Sequence, residues 1–335
     1  MDMPVPLPRF AQIEPVGQCN LRCRMCPVQF RPDGQPGPSA FMPFDTFRSL
    51  LDQFEGLAEL HLQGLGEPLL HPRFYDMVRL AADRGIKVST NTNMTVMTED
   101  QALRCVRSGL SVMCVSIDAA SAAAYEAVRV RARFDKVLRN LRRLVAAKQR
   151  LGARQPEIAL VAVLMRHTLD DLPALVRLAA AEGVPSLSVQ QLCHDFGEAT
   201  LPARYLPMRE FIDGEMLADA DRPHAEAVFA QARAEAGRLG VALHLPRLVA
   251  RQHPPDLPGR QRCDWPWRGA YISYDGKAMP CCMVATPDRI HFGDMRAQGV
   301  ERVWNNPAYQ VFRAQLSSAS PPDVCAGCAV YRGTF

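Results

Sequence analysis

Three cysteines lie within eight positions near the start of the chain: Cys19, Cys23 and Cys26, in the stretch GQCNLRCRMC. Thiolates are soft ligands, suited to iron–sulfur clusters or zinc. A structural zinc ion recruits a fourth ligand, and the nearest candidate, His61, is far along the chain. Three thiolates on a four-iron cube leave one iron open to bind a small molecule. Five more cysteines stand near the other end: Cys263, the adjacent Cys281 and Cys282, and the CAGC pair Cys325 and Cys328. The spacing of Cys263, Cys281, Cys325 and Cys328 permits a four-cysteine zinc ribbon.

These groups need a scaffold. A chain of 335 residues makes one large domain or two ordinary ones. Hydrophobic content of 48% and charged content of 22% are those of a globular protein. The formal charge of +4, 39 basic against 35 acidic residues, gives no reason to expect nucleic acid. No apolar run reaches the roughly 20 residues of a membrane span, and MDMPVPLPRF is no signal peptide. The expected location is therefore the reducing cytoplasm, where clustered cysteines bind metal or do redox chemistry rather than form disulfides.

Strand and helix patterns alternate through the first part of the chain. AQIEPV, LAELHLQG, IKVSTN, SVMCVSID, EIALVAVLM and PSLSVQQL read as strands. Helical patterns such as FDTFRSLLDQF, PRFYDMVRLAADRG and FDKVLRNLRRLVAAKQRLG separate them. Six such repeats imply parallel strands and a partial (β/α)6 TIM-like barrel of the α/β class, with ligands at the carboxyl ends of its strands. The expected organisation is a barrel over residues 1–198, a helical connector over 199–260 and a small cysteine-rich domain over 261–335. That last segment is short for an apolar core of its own, so a metal centre would supply stability.

The CxxxCxxC loop after a first strand resembles the cluster loop of the radical S-adenosylmethionine (SAM) enzymes; Met25 stands where many members have an aromatic residue. The resemblance implies a SAM-binding [4Fe–4S] cluster held by Cys19, Cys23 and Cys26. SAM chelates its open iron, and reduction cleaves SAM to a 5′-deoxyadenosyl radical that abstracts hydrogen from substrate. LQGLGEPLLHP is similar to the family's Gly-Gly-Glu motif, with Gly66 and Glu67 in the last two places and Leu65 in the first. Glu67 would then accept a hydrogen bond from the SAM amino group; alternatively, Gly-Glu-Pro is a turn capping the next helix. In VSIDAASAAAYEAVR, Ser116 is the ribose candidate and Arg129 the carboxylate candidate, with Arg131 and Arg133 competing; an arginine suits a carboxylate because its fork binds it bidentately. Asn91 is a further candidate for the same pocket.

The spacing Cys263–Gly276–Cys281, then Cys325-X-X-Cys328, resembles the SPASM and twitch extensions of the same superfamily. No cysteine occurs in the seven residues after Cys328, so the shorter twitch form, with one auxiliary [4Fe–4S] cluster, is expected. Cys282 is either a hydrogen donor to a substrate radical or a small buried hydrophobe. His194, Asp195 and Glu198, after the sixth strand, are candidate catalytic groups at the barrel mouth; a solvated loop is the alternative. Residues 127–154 carry ten Lys or Arg against Asp135 alone, a solvated face or a dock for an acidic flavodoxin- or ferredoxin-like electron donor.

The resemblance to twitch dehydrogenases implies hydrogen abstraction from a hydroxylated small molecule (an aminocyclitol, sugar or nucleoside) and oxidation of an alcohol. A redox-neutral epimerase, dehydratase or decarboxylase uses the same parts. A peptide-modifying maturase and a non-catalytic iron–sulfur carrier are the remaining classes.

Overall fold

The computed structural model describes residues 4–31, 40–192, 196–249, 257, 259–284 and 286–333. Nine strands form one sheet: β1 (Phe10–Ile13), β2 (Glu59–His61), β3 (Lys87–Thr92), β4 (Val112–Ser116), β5 (Glu157–Leu164), β6 (Ser186–Gln191), β7 (Ala242–His244), β8 (Gly269–Ile272) and β9 (Ala278–Met279). Their order across the sheet is β9-β8-β1-β2-β3-β4-β5-β6-β7. All neighbours are parallel except β8 and β9. The six strands read from the sequence are β1 to β6. The sheet does not close on itself.

Period-two alternation gives the sheet two different faces. Ala11, Ile13, Leu60, Val88, Met113, Val115 and Leu160 are buried in the main apolar core. The opposite face is polar: Gln12, His61, Ser89, Asn91, Cys114 and Ser116. The helices follow a 3.6-residue period. In Phe134–Arg150 the buried set is Phe134, Val137, Asn140, Leu141, Leu144 and Ala147, one stripe of the helix. The helix Glu99–Arg107 starts with a capping box between Thr98 and Gln101.

Two features depart from the sequence expectation. Residues 199–260 are more than a connector. The helix Arg222–Leu239 packs on Leu172–Ala181, and the chain then returns through β7, which pairs with β6 from Ser186↔Ala242 to Ser188↔His244. This is a seventh strand, and with no buried residue among its three it shows no apolar alternation. Nor does the C-terminal segment stand apart. β8 pairs in register with β1, from Phe10↔Gly269 to Ile13↔Ile272. Trp304, Tyr309, Phe312 and Leu316 belong to the same apolar core as the barrel, and the Trp304 indole N–H donates to Pro6 O at 3.0 Å. This segment's stability does not rest on a metal centre alone.

Buried Glu14, just past β1, ties the pieces together. It pairs with Arg31 through two hydrogen bonds of 3.1 and 3.0 Å. It also accepts from Leu65 N (3.0 Å), Tyr271 Oη (2.7 Å) and Tyr274 N (3.3 Å). A buried carboxylate is tolerable only when paired and bonded in this way.

Candidate cluster and SAM site

The cysteine loop leaves the carboxyl end of β1. Its middle is pinned by a two-residue antiparallel ribbon, Arg22–Cys23 against Arg129–Val130, which sets Cys23 opposite Arg129. Cys26 N donates to Cys23 O at 3.0 Å. Leu21 N and the Asn93 side-chain amide both donate toward Cys19 Sγ, at 3.4 and 3.6 Å. Cys23 is buried; Cys19 and Cys26 are half-buried. Removal of water pushes the Cys19 and Cys26 thiols up to about 12; Glu67 and the other two thiols add to this at Cys19, and Cys23 adds to it at Cys26. Burial raises Cys23 as well, against the opposing pull of Arg129. Bare thiolates are therefore costly here, and a group of positively charged irons would stabilise them. Among the described residues no three His, Cys, Asp or Glu side chains converge on a single ion.

Gly66 is glycine for a reason inside the protein. A Cβ there would lie 2.2 Å from Val16 O, so the loop after β2 passes directly against the base of the cysteine loop. Glu67 N then donates to Gln18 O at 3.0 Å. The Glu67 carboxylate is fully buried by its surroundings, and that burial raises its pKa. It accepts from Thr92 Oγ1 (2.7 Å), Asn93 N (2.7 Å) and Leu69 N (3.1 Å). The last bond caps the short helix Pro68–Leu70, so the turn-capping role read from the sequence is present.

Asn91, one residue before the end of β3, and Ser116, the last residue of β4, lie on the polar face; Asn91 is in register with Cys114, and Ser116 with Val161. The residue next to the thiols is instead Asn93, two positions on. Its amide also donates to Asn20 Oδ1 at 3.0 Å, and its oxygen accepts from Thr95. Nothing in the sequence STNTNMT separates one Asn from the other. Of the three competing arginines, Arg129 stands by the loop, whereas the Arg133 side chain is 74% exposed and Arg131 is exposed on the surface. Arg129 is held bidentately by buried Asp118, Nε–Oδ2 2.7 Å and Nη2–Oδ1 3.0 Å. Asp118, which the sequence reading passed over, also accepts from Val163 N at 2.9 Å.

Cys263, Cys281, Cys325 and Cys328 line one small cavity, walled by Trp265, Phe312, Leu316 and Tyr331. Burial raises Cys281 well above the ordinary thiol range, and Cys282 and the other three cavity cysteines add to it. Cys282 packs on a different cluster, with Tyr271, Met279 and Leu65. Adjacent cysteines thus serve two environments. Glu198 is not a free carboxylate at the mouth. Both its oxygens are taken by Arg289, at 2.5 and 3.0 Å, and both side chains are buried. An ionised group there persists because it is paired. His194 and Asp195 lie outside the described residues.

Past the carboxyl end of β6, an open groove of about 500 Å³ runs between Gln191, Asp213, Arg222 and Arg247 on one side and Gly327, Ala329 and Arg332 on the other. Gly327 and Ala329, in its lining, flank Cys328.

Residues 13–179 match the radical SAM superfamily, and residues 263–329 match SPASM, an iron–sulfur cluster-binding domain. The chain belongs to the radical SAM superfamily, with a SPASM iron–sulfur domain at its C-terminal side. It is 24% identical over 341 residues to the tungsten-containing aldehyde ferredoxin oxidoreductase cofactor-modifying protein of Pyrococcus furiosus, covering 96% of this chain and 87% of that one. It is 27% identical over 326 residues to the PqqA peptide cyclase of Xanthomonas euvesicatoria pv. vesicatoria, covering 96% and 80%. Its fold is similar to that of Streptococcus suis SuiB, crystallised with the precursor peptide SuiA: TM-score 0.70, 14% identity, 98% of this chain and 71% of that one. The protein is a radical SAM enzyme; its cofactors are SAM, a SAM-binding [4Fe–4S] cluster and an auxiliary iron–sulfur cluster. No helix among the described residues is long and apolar enough to cross a membrane.

Proposed function

We propose that this enzyme modifies a peptide by radical chemistry, oxidising or cross-linking a side chain. The observation that carries the reading is the open groove at the carboxyl end of β6. Its lining comes from residues between Gln191 and Leu248 and from the C-terminal segment, and it carries Arg247 and Arg332, which have no carboxylate partner among the described residues. An extended chain can lie across such a groove with its own carboxylates on these arginines. The name of the PqqA peptide cyclase supports a peptide over the hydroxylated small molecule implied by twitch dehydrogenases.

Cys19, Cys23 and Cys26 would hold the SAM cluster. Arg129 and Asp118 would steady its loop beside the SAM carboxylate; Asn91 and Ser116 would face SAM from the polar side of the sheet. Glu67 would hold Asn93 against Cys19 and offer its remaining lone pair to the SAM amino group. Cys263, Cys281, Cys325 and Cys328 would hold an auxiliary cluster with no open iron. Bound SAM and its cluster supply, on one-electron reduction, a 5′-deoxyadenosyl radical able to take hydrogen from carbon. Cys282, packed on Tyr271 and Leu65, would be the thiol able to return a hydrogen atom in a redox-neutral reaction.

The test is anaerobic turnover of reconstituted enzyme with SAM and dithionite, offered a panel of precursor peptides or a panel of aminocyclitols and sugars. Peptide-dependent release of 5′-deoxyadenosine with a peptide two mass units lighter is expected. Turnover of the polyols alone would overturn the peptide reading; a product of unchanged mass in H2O that is one unit heavier at carbon in D2O, and that Cys282→Ala no longer forms, would assign Cys282 to epimerisation.

A further inference from the structure

A second groove lies at the opposite end of the sheet, where the amino ends of β1 and β2 meet the C-terminal segment. Arg9, Arg260, Arg268 and Trp267 line it, over a floor that includes Leu7 and Pro8. The three arginines are exposed. None has a carboxylate partner among the described residues, and Arg260 sits 5.1 Å over the Trp267 ring. Glu59 is the one carboxylate among the lining residues; Asp264 is exposed nearby. One helical turn, Trp265–Arg268, separates this groove from the cavity of the four cysteines. Trp265 and Pro266 face the cavity, while Trp267 and Arg268 face the groove.

The basic helix offers a weaker surface. In Phe134–Arg150, Arg142 is bound to Glu182 at 2.6 Å and Arg139 faces Asp135 at 3.7 Å; Arg129, before it, is buried on Asp118.

We infer that the Arg9–Arg260–Arg268 groove is the docking surface for an acidic one-electron carrier protein, which exchanges electrons with the auxiliary cluster across the Trp265–Arg268 turn. The inference rests on the proposed assignment of Cys263, Cys281, Cys325 and Cys328 to that cluster. In each encounter one electron leaves the reduced carrier and reduces the cluster by one, with no proton or group transferred. A positive patch suits this role because charge steers a negative partner and sets its orientation, while adding little tight affinity. Short-lived encounters are what a carrier needs.

The test uses reconstituted enzyme without SAM or substrate and, as probe, a flavodoxin of net negative charge. Affinity is measured by calorimetry at low and physiological salt, and electron transfer by stopped-flow oxidation of reduced flavodoxin. The triple variant R9E/R260E/R268E is expected to lose roughly tenfold or more in affinity and rate, with iron content and cluster spectra unchanged. The variant K136E/R139E/R150E, on the basic helix, is expected to match wild type, and added salt should weaken wild type most. The milder R9Q/R260Q/R268Q serves if charge reversal disturbs folding, with the same direction expected. Wild-type affinity in both groove variants, or loss only in the helix variant, would overturn the proposal. So would a polyglutamate peptide that fills the groove without displacing flavodoxin. Wild-type protein that binds flavodoxin at the groove but holds a single cluster would instead remove the electron-transfer step and, with it, the auxiliary-cluster assignment.

Discussion

The two cysteine sites are built from opposite materials. The three thiols after β1 sit among polar groups: the Asn93 amide donates toward Cys19, Arg129 stands across from Cys23, and Glu67 is held nearby by Thr92 and Asn93. The four thiols near the end of the chain sit in a cavity walled by Trp265, Phe312, Leu316 and Tyr331. A polar surround suits a centre that must admit a charged ligand at an open position. An apolar, four-ligand surround suits a centre that must keep ligands and water out while passing electrons, because solvent exposure and hydrogen bonds to sulfur set its potential. Loop geometry alone does not make this difference; the residues around the sulfurs do.

The largest effects should separate the two sites outright. Replacing Cys19, Cys23 and Cys26 together by Ala should abolish SAM cleavage and leave about four irons per chain out of about eight. Release of 5′-deoxyadenosine by that variant under dithionite would collapse the comparison, because the other site would then be the open one. Cys325→Ala should do the reverse. SAM cleavage continues while product formation stops, and the iron that is lost comes from the auxiliary site. Iron analysis, 5′-deoxyadenosine chromatography and product mass, run on both proteins, read all of this. Loss of both activities in Cys325→Ala while circular dichroism remains native would show that the sites do not work separately.

A smaller effect should come from the buried pair beside the SAM loop. Arg129→Met leaves the Asp118 carboxylate buried and unpaired, at a cost of about 3–5 kcal/mol. Adding Asp118→Leu removes the stranded charge and should recover most of the stability. If Arg129 also holds the SAM carboxylate, SAM affinity stays low in the double variant. Urea midpoints and SAM calorimetry on the two proteins separate these roles. Recovery of both quantities would confine Arg129 to structure.

Much of this difference was legible in the sequence, and the part that was not has physical causes. The six central strands could be read because each carries apolar residues at a clear period and is followed by a helix of its own. The cysteine spacings were visible because ligation fixes residue type. β7 was hidden because none of its three residues is buried, so it shows no apolar alternation, whereas the equally short β2 buries Leu60. β8 was hidden because its partner, β1, lies more than 250 positions earlier in the chain, and no local pattern records such pairing. The choice of Asn93 over Asn91 depends on where a strand ends, and boundaries are weakly encoded. Glu198 could be read as a catalytic carboxylate because its partner, Arg289, is distant in sequence. A buried ion pair and a catalytic acid look alike until both partners are placed.

His61 carries the smallest prediction. It lies on the polar face of the sheet, with Nδ1 2.8 Å from Ser89 Oγ and Nε2 2.9 Å from Gln63 Oε1. Loss of water lowers its pKa to about 4, with the Gln63 contact opposing the shift. In the unfolded chain it titrates near 6.5. Between these values the unfolded chain binds a proton that the folded one refuses, so stability rises with pH across the window. The contribution is complete above about 6.5 and is lost as pH falls toward 4. From pH 6.5 to 5 it amounts to about 1–2 kcal/mol, after allowance for water on the polar face. His61→Gln keeps a group that can bond to Ser89 and Gln63 but cannot titrate. Anaerobic urea unfolding of both proteins at several pH values across that interval should give a flatter slope for the variant. Parallel slopes would mean that the polar face holds enough water to leave His61 near its ordinary pKa, and the contrast between a polar SAM side and a sealed auxiliary side would then be sharper still.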